Sequence, residues 1–566
     1  MFCSSIFFFF FFFFFFFFFF FFFFFFFGVY FYEYNIIFFF EWVIYFLNSS
    51  SFTCIFLFDW ISFIFISFVF LISGCVLFYS LGYMKGDLNL IRFYFLVFLF
   101  ILSMFFFIFM PDLICLLLGW DGLGLVSYCL VIYYQNKMSL ISGLITVFMN
   151  RLGDVMLILS IGWFFNFGSW HYLFYMNCDL NEYFIWVIYL VLFASFTKSA
   201  QFPFCYWLPM AMSAPTPVSS LVHSSTLVTS GVYLIIRFNY YIYFFDTYFL
   251  MLISLITMFI SGFSACVEMD LKKIIAFSTL SQLGFMFFTL SFGCVILCFL
   301  HLLIHAIFKS LLFLCSGYFI HCFFGNQDIR YMGGLVNQNP YVSCCFLISL
   351  LCLCGFPFFS GFYSSDFILE MVLLMDINIL YFVFFFFSVC LTLIYSIRLV
   401  YYLFYSDSFF FSFISFLDCS FMNYSLIFFF FFFVWSFLYV LVFYWFFFFF
   451  FLDINKQLKL KYKMFFVILN TDLIYKIFVL FPLFFFFFFF LVQYDFYIFF
   501  LQILLLFDFV TWVIFLMLYF WIEYFVSSGL LGFFKWLGFY FDKFLVNNFK
   551  VYIMFFFFFY LFLIFF

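Results

Sequence analysis

Ionisable side chains are scarce in this chain, and four segments hold them inside long apolar runs. GWDGLG (119–124) places Asp121 in such a run, and NRLGD (150–154) follows with Arg151 and Asp154 three residues apart, on one helix face. An ion pair between Arg151 and either aspartate is the structural alternative to a role in ion movement. Lys198 heads KSAQFPFCYWLPMAMSAPTP, in which prolines follow at 203, 209, 215 and 217. Proline removes a backbone donor and breaks a helix. At membrane depth a broken helix is tolerated only where it is buried in protein or lines a cavity. A lysine beside such a break is a group able to take and release a proton, unless a carboxylate pairs with it permanently.

The third segment is HLLIHAIFKS (301–310). His301, His305 and Lys309 recur every four residues and drift only about 40° per step around a helix. A proton relay fits this stripe. Buried, satisfied histidines and a metal site are the alternatives, although no HExxH glutamate and no evident third ligand accompany the pair. Haem ligation calls for histidines on facing helices, and His171, His223 and His321 are the only others. The fourth segment is GFPFFSGFYSSDFILE (355–370), where Gly355, Pro357 and Gly361 interrupt a span just ahead of Asp366. Two proline-interrupted spans, each beside an ionisable group, point to the paired half-bundles of transporters built from inverted repeats.

The composition says what must hold these groups. Of 566 residues 71% are hydrophobic and 8% are charged, against about 45–50% and about 25% in soluble domains. Lipid is the solvent for such a chain, and there every backbone polar group must be paired internally. Apolar runs of this length form helices of about 20 residues, whereas barrel strands are about ten residues long and alternate in polarity. The reading is an all-α polytopic membrane protein of about 14–16 helices. Spans are expected near 7–30, 60–82, 93–110, 112–134, 140–165, 184–203, 215–238, 249–268, 273–290, 294–322, 341–358, 365–382 and 384–405, with later ones near 425–450, 475–492 and 549–566. Residues 31–58 are apolar but carry Glu33, Glu41 and a serine cluster, and read as interfacial. The division is 1–58 for the first span and that segment, 59–405 for the core, 406–499 for further spans, and 500–566 for a lateral helix and a last anchoring span. The unbroken run Phe7 to Phe27 lacks the basic flank and cleavage site of a signal peptide and reads as a retained span. Phenylalanine there fills lipid-facing positions as any apolar residue would, and its abundance suggests a biased organelle genome. Net charge is −5 with no basic cluster, so nothing points to nucleic acid as a partner, and the 18 cysteines show no metal-ligand spacing.

The same segments resemble the subunit 5 family of respiratory complex I, from about residue 59 to about 400. The likeness rests on FDWIS (58–62), LGYM (81–84), GWDGLGLVSY (119–128), NRLGD, KSAQFP, the long WLPMAMSAPTPVSSLVHSSTLVTSGVYLIIR (207–237), MDLKKIIAFSTLSQLG (269–284), HLLIHAIFKSLLFLCSG (301–317), QDIRYMGGL (327–335) and GFYSSD. It implies two inverted five-helix repeats within a 14-helix core, half-channels joined by a midplane line of charge, and no redox centre in this chain. NADH, FMN, iron–sulfur clusters and ubiquinone would belong to the parent complex. The implied partners are the other membrane-arm subunits, above all a subunit 4-like neighbour, and lipids, in the mitochondrial inner membrane. By position Asp121 replaces the family's glutamate and would pair with Lys198. His223, His301, His305 and Lys309 match the connecting axis, and Lys273 lies on a matching segment. Two departures touch the site: Asp121 is a methylene shorter than glutamate, and Ser365 stands where the family has a lysine before Asp366. A third is that only one helix is evident ahead of FDWIS, where the family has two. A cation/proton antiporter subunit and a membrane-arm piece that no longer pumps are the alternative readings.

Overall fold

A computed structural model describes residues 2–47, 50–87, 89–167, 170–171, 184–243, 247–357, 359–374 and 378–407, with a few positions between 422 and 430. The spans expected near 475–492 and 549–566, most of that near 425–450, and the lateral helix lie outside the described residues. Among the described residues thirteen main helical segments follow in sequence order. They are α1 (Phe2–Tyr34), α2 (Trp60–Tyr83), α3 (Leu90–Phe109), α4 (Leu113–Val131), α5 (Lys137–Phe165), α6 (Phe184–Lys198), α7 (Thr216–Tyr240), α8 (Tyr248–Val267), α9 (Leu271–Ser291), α10 (Val295–Cys322), α11 (Pro340–Leu353), α12 (Ser360–Leu374) and α13 (Ile379–Val400). Ten helices among the described residues are long and apolar enough to cross a membrane by themselves. The chain is therefore a polytopic helical membrane protein.

Two boundaries differ from those expected. Residues 31–58 are not merely interfacial: strands β1 (Phe38–Leu47) and β2 (Ser50–Phe58) pair antiparallel as a hairpin. Both are rich in aromatic and β-branched residues, which suit a pleated surface. The span expected at 365–382 is in fact the end of α12 and the start of α13, where Asn378 caps the new helix by accepting from the Leu380 amide.

The FDWIS motif does structural work. Asp59 caps α2, accepting from the Ser62 amide at 3.0 Å while Ser62 Oγ accepts from the Asp59 amide at 3.1 Å. The same carboxylate accepts from the Arg237 guanidinium near the end of α7, with Nη2 at 2.9 Å. Buried serines mostly donate to their own helix, as Ser67 does to the Ile64 carbonyl at 2.6 Å, so they add no unpaired polarity. In α1 a stripe of Phe17, Phe21 and Phe25 is buried, while Phe19, Phe23 and Phe26 face outward. Phe17 stacks on Phe70 of α2 at 5.6 Å between ring centroids.

Helices α3 and α4 approach so closely that a Cβ on Gly119 would stand 2.6 Å from the Phe107 backbone nitrogen. Backbone cannot yield as a side-chain tip can. Gly119→Ala should destabilise the chain by about 1–3 kcal/mol, read as a lower Tm of the assembled protein. An unchanged Tm would mean that α3 and α4 are free to slide apart.

Candidate functional site

Helices α4, α5 and α6 bring the first group of charges together. Lys198 ends α6 with its side chain 0% exposed. Its Nζ donates to the Trp120 carbonyl at 3.0 Å and stands 4.9 Å from the Trp120 ring centroid. The ion pair expected between Lys198 and Asp121 is absent. Asp121 instead meets Arg151, with Nη1 at 3.5 Å from Oδ2, and Arg151 also binds Asp154 at 3.0 Å. The shorter aspartate leaves its carboxylate beside Arg151 rather than under the lysine. Trp120 Nε1 donates to Asp154 at 2.8 Å, so one tryptophan touches both the lysine and the carboxylate network.

Beyond Lys198 the helix breaks into short turns at Phe204–Tyr206, Trp207–Met210 and Ala211–Ser213 before α7 begins. The loose carbonyls at the end of α6 find partners: Trp207 Nε1 donates to the Thr197 carbonyl at 2.9 Å. Within α7 the turn Val222–Thr226 widens to a π-helix, a local form frequent at functional sites. His223 sits in that turn, fully buried, with its ring 6.1 Å from that of Trp207. Neither of its ring nitrogens makes a sound hydrogen bond.

The second group lies on α9, α10 and α12. Lys309 is completely buried, and its Nζ donates to Ser278 Oγ at 2.6 Å. The rings of His305 and His301 lie 6.5 Å apart, and both nitrogens of His305 lack a hydrogen-bond partner. His301 is held on both sides, by Gln282 Oε1 at 3.1 Å and by Ser364 Oγ at 2.9 Å. Ser364 belongs to α12, the helix that restarts after the Gly355–Pro357 break and carries Asp366. Among the described residues no cation pairs with Asp366. Ser365 Oγ donates to the Gly361 carbonyl of its own helix at 2.8 Å.

Lys273, expected among the supporting charges, is only partly buried and pairs with Asp270 at 2.8 Å. Its neighbour Lys272 is the buried one, 4% exposed, and donates to the Ala214 carbonyl in the α6–α7 break at 3.1 Å. Lys272, Gln282 and Ser278 escape a reading of spacing because every residue of α9 except Lys273 is buried. No three His, Cys, Asp or Glu side chains gather as a metal-binding group among the described residues.

Two family models match the chain. The one described as NADH:quinone oxidoreductase/Mrp antiporter covers residues 110–392, and the one described as NADH-ubiquinone oxidoreductase (complex I), chain 5 N-terminus, covers residues 42–94. NADH-ubiquinone oxidoreductase chain 5 of Locusta migratoria is 52% identical over 67% of this chain and 67% of its own length. That of Anopheles gambiae is 53% identical over 66% and 63%. The chain thus spans about two thirds of the length of the curated relatives it matches. A solved chain of the Mrp complex from Dietzia sp. is similar in fold, with a TM-score of 0.59 and 24% identity, covering 68% of this chain and 44% of that one.

Proposed function

This chain belongs to the NADH:quinone oxidoreductase/Mrp antiporter family, on its complex I chain 5 branch, and on that premise we propose that it carries protons across the mitochondrial inner membrane as a subunit of NADH:ubiquinone oxidoreductase. The observation that carries the reading is the set of buried amines and imidazoles without carboxylate partners, Lys198, His223, Lys309, His305 and His301, ending at Asp366. A permanent ion pair would hold such groups in one protonation state. A hydroxyl, a carbonyl or a π-face leaves them free to exchange it. Redox chemistry belongs to other subunits, and this chain supplies the proton path. The Mrp-like fold alone fits a cation/proton antiporter equally well, but the match at residues 42–94 is to a chain 5 model. Comigration of the chain with NADH dehydrogenase activity on a native gel tests the assignment. A chain that runs apart from that activity contradicts it.

The face formed by α4 and α5 suggests where a subunit 4-like neighbour sits. Leu118, Leu125, Phe148 and Val155 are exposed there, and amid them Arg151 is 43% and Asp121 31% exposed. A charge facing lipid at mid-helix costs about 3 kcal/mol or more. A protein surface offering polar groups at that depth removes the cost.

At the far end Asp366 takes the terminal proton in place of the family lysine. Asp366→Asn should lower the number of protons moved per NADH oxidised while the chain still assembles, as measured in reconstituted vesicles. Normal pumping in that variant would send the proton out by another route, or make this chain a structural arm.

A further inference from the structure

Lys198 reaches the Trp120 carbonyl because residue 124 has no side chain. On a helix the side chain four residues on leans back over the preceding turn, and at position 124 it would cover that oxygen. A Cβ on Gly124 would stand 3.3 Å from Lys198 Nζ and 4.0 Å from Asn150 Cβ. The ammonium and the Asn150 side chain therefore flank one spot between α4 and α5. Asn150 is 3% exposed, and neither its Oδ1 nor its Nδ2 has a hydrogen-bond partner. Burying an amide without partners is costly. Lys198, for its part, spends one of its three donors on protein. An unpartnered amide and an ammonium with spare donors, both close to Gly124, have the chemistry of a water site.

We propose that Asn150 is a positioning residue, which holds a water on Lys198 Nζ beside Gly124. Oδ1 accepts one O–H of the water and turns its lone pair towards the ammonium. When Lys198 gives up its proton, an N–H bond breaks and an O–H bond forms on that water. The water's other proton passes to the next base, and the amide itself is unchanged. The proposal rests on Lys198 being a proton carrier.

The test compares Asn150→Leu, Asn150→Ser and Gly124→Ala with Lys198→Met in the reconstituted complex, reading protons moved per NADH oxidised. Leucine matches asparagine in shape but holds no water. Serine is smaller, keeps a hydroxyl and leaves room for water. A merely structural role favours leucine, which buries no unmet amide, over serine, which opens a cavity. The water-holding role predicts the opposite order: Asn150→Leu falls towards the level of Lys198→Met, and Asn150→Ser keeps most of the pumping. Gly124→Ala, whose methyl would crowd Lys198 Nζ itself, should also fall. Wild-type pumping in Asn150→Leu, or serine worse than leucine, overturns the proposal and leaves Lys198 standing as carrier. Wild-type pumping in Lys198→Met overturns both.

Discussion

Lys198→Met should cut proton movement by on the order of a hundredfold, as loss of a group that gains and releases a proton does, while the complex still assembles. The structure explains why assembly survives. The ammonium has no carboxylate partner to strand, and the Trp120 carbonyl that it binds lies within the hydrogen-bond ladder of α4. Methionine fills a similar volume and packs against an indole. Lys198→Arg should fail as well, because a guanidinium stays charged at any working pH. Proton uptake by reconstituted vesicles checks both variants. Pumping at wild-type level in either would reduce Lys198 to a structural cation.

Lys309→Met should have an effect of the same order, roughly a hundredfold, and greater than that of His301→Ala. Ser278 keeps its bond to the Ile275 carbonyl when the lysine is gone, so the packing of α9 on α10 is not the casualty. His301 bridges Gln282 and Ser364, and a water in its place could make the same two bonds. No water can hold the charge that Lys309 holds. Equal and negligible losses in the two variants would return this stripe to satisfied core residues.

Much of this was legible in the sequence because lipid makes composition speak plainly. Runs of about 20 apolar residues leave the backbone one solution, and the breaks after Lys198 and around Pro357 announced themselves through proline and glycine. The hairpin at 38–58 was not legible. Its strands lack the polar–apolar alternation that marks a half-buried strand, so only their aromatic and β-branched content pointed to pleated structure. The boundary between α12 and α13 was blurred for a similar reason, since a single Asn378 cap separates two apolar runs. Within the site, residue types and a pairing of Arg151 with an aspartate could be read, but the partner of Lys198 could not. Whether Asp121 meets Lys198 or Arg151 depends on one methylene and on how α4, α5 and α6 pack, which no spacing encodes. Adjacent lysines at 272 and 273 differ by about 100° around the helix axis. On a helix apolar all round, nothing in the sequence says which of them turns inward.

The central claim is that Lys198 and Lys309 serve one proton path in series. The most direct measurement is the number of protons moved per NADH oxidised in assembled complexes carrying Lys198→Met, Lys309→Met and both together. Steps in series are not additive, so the double variant should pump no less than the worse single one. If each single variant loses part of the pumping and the double loses the sum, the two lysines act independently, and a single connected path through this chain is contradicted.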